Sequence, residues 1–296
     1  MTTEKGYFIS LNVNVAISFS VYVFLLMTGY TTLIMDVRSI VLFSIAGFFS
    51  GFLGRMFNYH SQKMIGITRG SVIKLLSPIF AVILGILFLD EIMNGIDLIS
   101  IAAILFGMLI VNVYSAPQQA RPEISSASEP QINETAIFKK SKYFNIIESH
   151  KYAFGLFVGV SCALSYAIGN YFRKSAMMEW SDPVAGACIG VSMALLIFIM
   201  IRLFPRKQTK IYYQSFREKG SRFFIWVGVC NILAQFSFFG SLLFLGLSIA
   251  NVLSLSEPLF TIALVSIFLR NKEIFNAKLI LGALVVVVGL IVLILN

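Results

Sequence analysis

The sequence predicts an all-α integral membrane bundle of about nine helices, built as two inverted repeats. Three observations predict it. The 296 residues are 58% hydrophobic and only 12% charged, about half the charged share of a soluble domain, with a mean hydropathy of +0.86. The apolar residues gather into long, uniform runs. A stretch of the first half recurs in the second half. A soluble fold of this size buries only about three quarters of its chain's area, too little to hide this composition. An ordinary globular protein, a disordered chain and a secreted disulfide scaffold are excluded.

The runs follow in order at residues 8–34, 39–60, 67–89, 96–114, 151–176, 183–204, 222–245, 247–269 and 276–295. Each has about the length that crosses a bilayer as a helix. In lipid only helices and closed barrels satisfy the backbone, and barrel strands would be short and alternating. The first run is too long for a signal-peptide core and lacks a small-residue cleavage pattern, so it reads as a span. Between the fourth and fifth runs, residues 115–150 are rich in Ser, Pro, Gln and Glu. Such a segment cannot build a core and is expected to be a solvated connection. The organisation is therefore 1–114, a first repeat of four helices; 115–150, a polar linker; and 151–296, a second repeat of five.

Basic residues outnumber acidic ones by 23 to 14. They sit in short loops between apolar runs, where they act as topology signals facing anionic lipid, so no nucleic-acid partner is implied. Counted loop by loop, 18 fall on one side and three, Arg38, Arg173 and Lys174, on the other. The bias puts the N-terminus and the linker in the cytoplasm and the C-terminus outside, in the pattern of a bacterial inner (plasma) membrane protein. Cys162, Cys188 and Cys230 lie inside apolar runs without disulfide or metal spacing and are expected to be small buried side chains, with no metal site.

A shift of 180 residues lays IGITRGSVIKLLSPIFAVIL, from Ile65, on LGLSIANVLSLSEPLFTIAL, from Leu245. Gly66 meets Gly246, Pro78 meets Pro258 and Phe80 meets Phe260. Each stretch is followed by an acidic residue, Glu91 or Glu273, and then by a helix with a late glycine, Gly107 or Gly289. The Pro78 helix starts in the cytoplasm and the Pro258 helix starts outside, so the repeats are inverted, as in many secondary transporters.

These features, with GNYFRKSAMMEWSDPVAGACIG from Gly169, resemble the EamA domains of the drug/metabolite transporter superfamily, over most of the chain except the linker. The resemblance implies a five-plus-five helix pattern. Set against it, the first repeat lacks its first helix and the charge-based placement of the C-terminus is reversed.

Charges inside spans cost about 2.5–3.5 kcal/mol each on insertion scales and commonly mark function. Three stand out: Lys74 one turn before Pro78, Arg55 near the end of the second run, and Glu257. A proline frees the carbonyl four residues earlier, which here belongs to Lys74 or Ser254. Ser71, Lys74 and Pro78 share one helical face; Asn251, Ser254 and Pro258 share another. Two polar, broken faces fit a substrate site with Pro78 and Pro258 as hinges. Asn58 near Arg55, Gln235 at the repeat-equivalent position, and Tyr166 on the fifth run add polar groups. The alternatives stand beside this: snorkelling for Lys74 and Arg55, and a structural interhelical bond for Glu257 and the amides. Gly47/Gly51, Gly155/Gly159 and Gly186/Gly190 read as packing contacts.

The expected function is alternating-access transport of a small polar metabolite, anionic or zwitterionic given Lys74 and Arg55. Glu257 is the expected carrier of a substrate cation or a coupling proton. No other cofactor is expected; lipid and a small-molecule substrate are the partners, and a homodimer stays open. A non-transporting membrane scaffold is the alternative. His60 and His150 are peripheral and there is no phosphate-binding loop, so an enzyme and an ATP-driven pump are disfavoured.

Overall fold

The structure is a computed structural model and describes residues 3–31, 36–115, 137–203, 209–218, 220–257, 259–260 and 277–295. Every regular element among them is helical. These are α1 (Thr3–Met27), α2 (Val37–Ile65), α3 (Ile67–Lys74), α4 (Leu76–Phe88), α5 (Gly95–Ser115), α6 (Ile137–Glu179), α7 (Pro183–Phe198), α8 (Thr209–Gln214), α9 (Ser221–Phe244), α10 (Leu247–Leu253) and α11 (Ala277–Leu295). Among the described residues seven helices are long and apolar enough to cross a membrane, and two shorter apolar helices lie at Val72–Phe88 and Leu247–Ser256. Each of the nine runs therefore contains a helix, the eighth only in its first part, since residues 261–276 lie outside the described set.

Local chemistry moves several boundaries. The first helix stops at Met27, short of residue 34, because Gly29 takes φ +74°. Its N–H donates to Leu26, and that of Tyr30 to Leu25, which satisfies two terminal carbonyls. The second runs on to Ile65, so Arg55 lies well inside it rather than near its end. The linker is helical from Ile137 onward as the start of α6; prolines stop at Pro130, and no Pro or Gly follows until Gly155. Arg173 and Lys174, expected in a loop, sit inside α6, which ends at Glu179.

The helix is interrupted in the corresponding stretch of each repeat. The chain breaks between α3 and α4 at Leu75, three residues before Pro78. In the second repeat α10 gives way to a 3-10 turn over Ser254–Ser256. Pro258 itself lies outside the described residues.

The chain forms two compact units, each drawing on both repeats. The first comprises Met1–Met56, Ser77–Met93 and Cys162–Leu253; the second comprises Phe57–Leu76, Asn94–Ser161 and Ser254–Asn296. In the first, α1 packs on α7 and α9, and α7 on α2. Under the 180-residue shift α1 corresponds to α7 and α2 to α9, so α1–α9 and α7–α2 are equivalent contacts. One apolar cluster gathers Phe43, Trp180, Ile232, Phe239 and Leu247; another gathers Phe8, Phe52, Phe198 and Tyr212.

Close backbone approach makes the α7–α2 contact. Gly47 faces the Gly190 carbonyl with no space for a Cβ, whereas a Cβ at Gly190 would find its nearest neighbour at 3.8 Å. Gly47→Ala should therefore lower stability by about 1–3 kcal/mol through overpacking. Gly190→Ala should stay within about 0.5 kcal/mol. Thermal unfolding of the detergent-solubilised protein checks the asymmetry; equal effects would mean the helices can slide apart.

In the second unit α5 packs on α11. A Cβ at Gly107 would lie 2.8 Å from the Gly282 carbonyl oxygen. Gly155 and Gly159 of α6 admit Ile65 and Ser61, and the Ser61 hydroxyl donates to the Gly155 carbonyl at 3.1 Å. The glycine pairs are thus packing surfaces. Leu281, Leu284 and Val288 along α11 are each more than half exposed, a surface suited to lipid. Cys162 and Cys188 are buried; Cys230, against expectation, is exposed on α9.

Candidate functional site

Two polar networks run through the first unit. The first joins the first half of α1 to α2 and α9. Arg55 donates to the Asn231 amide oxygen at 3.1 Å, and its guanidinium lies 5.3 Å from the centre of the Tyr7 ring. Tyr7 in turn donates to the Gly51 carbonyl at 2.5 Å. With the Asn14 amide assigned the orientation that matches its neighbours, Asn231 donates to it at 2.7 Å, and Asn14, fully buried, donates to the carbonyls of Gly228 and Ser10. Each group away from water must find such a partner, because an unmade bond there costs about 1–3 kcal/mol. Under the repeat shift Asn14 and Asn231 correspond to Ala194 and Gly51, which meet through the Ala194 methyl with no polar side chain between them. One of two equivalent helix crossings has become polar.

The second network centres on Arg173. Its terminal nitrogens donate to the Ser50 hydroxyl at 2.7 Å and to the Asn170 oxygen at 3.3 Å. Asn170 donates to Asn251 of α10 at 2.5 Å. The guanidinium carbon lies 5.0 Å from the Phe239 ring centre and 5.9 Å from that of Phe238, at cation–π distance. Its Nε is buried without a hydrogen-bond partner. Ser50 lies in a π-helical segment, Gly47–Gly54, within α2, a local underwinding with i→i+5 bonds that is common at functional sites. Gly169 lets α6 approach it, since a Cβ there would stand 2.6 Å from that of Ser50. Arg55 follows Ser50 by five residues on the same helix, so both cations belong to this part of the first unit.

A third arrangement holds the turn between α9 and α10. Glu91 accepts from the backbone N–H groups of Leu247 and Ser248 and from the Ser248 hydroxyl. Lys174 donates to the carbonyls of Leu242 and Leu245 at 2.7 and 2.8 Å. The anion thus sits on the amides that open one helix and the cation on the carbonyls that close the other, each matching the local dipole.

Of the residues singled out in the sequence, Arg55, Tyr166 and Asn251 fall in the first unit; the Tyr166 ring packs against Gly54. Asn251 is buried and ties back to the Leu247 carbonyl at 2.8 Å. Gln235 is half-buried on α9; Asn231, one turn earlier, is the residue that meets Arg55. Lys74, Asn58, Ser254 and Glu257 belong to the second unit. Lys74, Ser254 and Glu257 are exposed, and Asn58 accepts from Gln62 at 3.2 Å. Pro78 is buried in α4. Sequence reasoning missed Arg173, Lys174, Ser50 and Asn14. The first two carried a signal, being charges within the fifth apolar run's reach. An apolar groove lined by Val15, Leu195, Leu196, Ile199 and Met200 also lies in the first unit, but holds no charged group to recognise a polar solute.

Comparison with known proteins agrees with this fold. None of the curated proteins compared matches the chain. A protein of known crystal structure superposes with a TM-score of 0.64 at 12% identity, over 99% of this chain and 87% of that one; at that identity the likeness establishes the fold alone. The model of the EamA-like transporter family matches residues 6–113 and 153–295, one repeat on each side of the linker. The chain is a multi-pass membrane protein and belongs to the EamA-like transporter family.

Proposed function

We propose that the protein is a secondary transporter that moves a small polar metabolite, anionic or zwitterionic, by alternating access of its two repeats. The observation that carries this reading is the mid-span network of Arg55, Asn231 and Asn14, polar groups placed where a passive lipid-embedded scaffold would use apolar ones. Helix breaks at Leu75 and at Ser254–Ser256 support it, since interrupted helices line sites in inverted-repeat transporters. Glu257, beside the second break and exposed, is the proposed carrier of a coupling proton. With Arg173 and Lys174 inside α6, the loop-base count favours one side more strongly than before. It supports a cytoplasmic N-terminus and linker and an outward C-terminus in a bacterial inner membrane.

The test uses the full chain in proteoliposomes, with a defined metabolite mixture outside and uptake read by mass spectrometry with and without an imposed pH gradient. Wild type should accumulate at least one component, more with the gradient. Glu257→Gln should lose the gradient's effect yet keep exchange. Undiminished gradient-driven uptake in Glu257→Gln would remove the proton role. No uptake of any component by wild type would remove the transporter reading.

A further inference from the structure

We propose that Arg173 is the recognition group for an oxyanion, carboxylate or phosphate, on the transported molecule, with Arg55 supplying a second positive charge. The inference rests on the transporter reading above and adds to it the substrate class and the residue that selects it.

The argument begins with charge. Arg173 keeps its charge under all working conditions, yet its contacts among the described residues are all neutral: the Ser50 hydroxyl, the Asn170 amide oxygen and two phenylalanine rings. Among the described acids of the same unit, five are engaged elsewhere and Asp90 is exposed. Glu91 caps α10, Asp182 caps α7, Glu179 pairs with Arg38, Glu218 pairs with Lys5, and Asp36 accepts from Ser39. A second cation, Arg55, follows on α2 five residues after Ser50, the hydroxyl that Arg173 meets. Two like charges brought together in an apolar setting are unfavourable unless an anion joins them.

The second step is geometry. A guanidinium offers five donors in a planar fork suited to the two oxygens of a carboxylate or phosphate. In Arg173 the Nε donor is buried and unmet, while Ser50, Asn170 and Phe239 hold the plane of the group from separate helices. The side chain is thus oriented before any ligand arrives, with donor capacity in reserve. A purely structural arginine in a span would be expected to spend its donors on backbone carbonyls, as Lys174 does with two of its three one residue later.

The experiment uses proteoliposomes of the full chain and an equimolar probe mixture of four arms: monocarboxylates and amino acids, sugar phosphates, aliphatic amines, and neutral sugars. Wild type should accumulate members of a carboxylate or phosphate arm, and which of the two names the oxyanion. Arg173→Gln should lower that uptake at least tenfold. Arg173→Lys keeps charge but not the fork, so it should retain the same arm at a KM raised about tenfold. If Arg173→Gln fails to fold, Arg173→Lys and the wild-type arm preference still decide. Wild-type uptake confined to amines or neutral sugars overturns the proposal together with the anionic substrate class, leaving secondary transport itself intact; oxyanion uptake unchanged in Arg173→Gln or Arg173→Lys overturns the role of Arg173 alone. Uptake in no arm overturns both.

Discussion

Glu91→Ala should destabilise the protein by about 2–3 kcal/mol, a fall in Tm of roughly 5–8 °C for a chain of this size. The carboxylate is the acceptor for two backbone N–H groups and one hydroxyl at the start of α10. Those amides have no intrahelical partner, because the first turn of any helix leaves them over. Alanine removes charge and acceptor together. Glu91→Gln keeps one acceptor oxygen and should show about half the loss. Asp90→Asn, next door and exposed, removes a charge without removing the cap and should be nearly silent. The measurement is thermal unfolding in detergent. If Glu91→Ala is no worse than Asp90→Asn, the cap carries no weight. The consequence extends to Lys174, whose ammonium holds the preceding carbonyls and is attracted by Glu91. Loss of either residue should loosen the same α9–α10 turn, so the double variant should cost less than the sum of the singles.

Glu91 also shows where sequence reading reaches and where it stops. The repeat marked it as the acidic residue after a proline-bearing helix, and that placement held. Its chemistry did not follow, because the partner amides lie 156 residues away in sequence. The helices were legible because hydropathy runs are local, and the breaks near Pro78 and before Pro258 were legible because a proline's effect reaches only one turn. The glycine pairs were legible for the same reason. The end of α1 had its signal in Thr28-Gly29, where glycine accepts the positive φ that closes a helix. Arg173 was legible only as a charge near the end of the fifth run, not as a member of a buried network. A cation in the last turns of a span and one just beyond it have the same hydropathy, and only the path of α6 to Glu179 separates them. Asn14 and Asn231 were hidden more deeply, since nothing local distinguishes an amide that meets another amide from one that bonds its own helix.

That pair carries the other large expected effect. Asn231→Leu should cost about 2–3 kcal/mol, because it leaves two polar groups unmet at once: the Asn14 oxygen, fully buried, and the Arg55 nitrogen that donates to Asn231. Leucine at position 14 alone should cost less, since Arg55 keeps its acceptor. In the double variant Asn14→Leu/Asn231→Leu two facing amides become two facing apolar side chains, as at the equivalent Ala194–Gly51 crossing. Stability should recover only in part, to within about 1–2 kcal/mol of wild type, because the buried Asn14 oxygen is gone while the Arg55 nitrogen still lacks its amide acceptor. Uptake should not return, because Arg55 still lacks the amide that orients it beside Tyr7. Thermal unfolding and proteoliposome uptake on the same four proteins separate the two roles. Additive stability losses would mean that the amides do not meet. Full uptake in the double variant would mean that the network holds the helices together and does nothing for the solute.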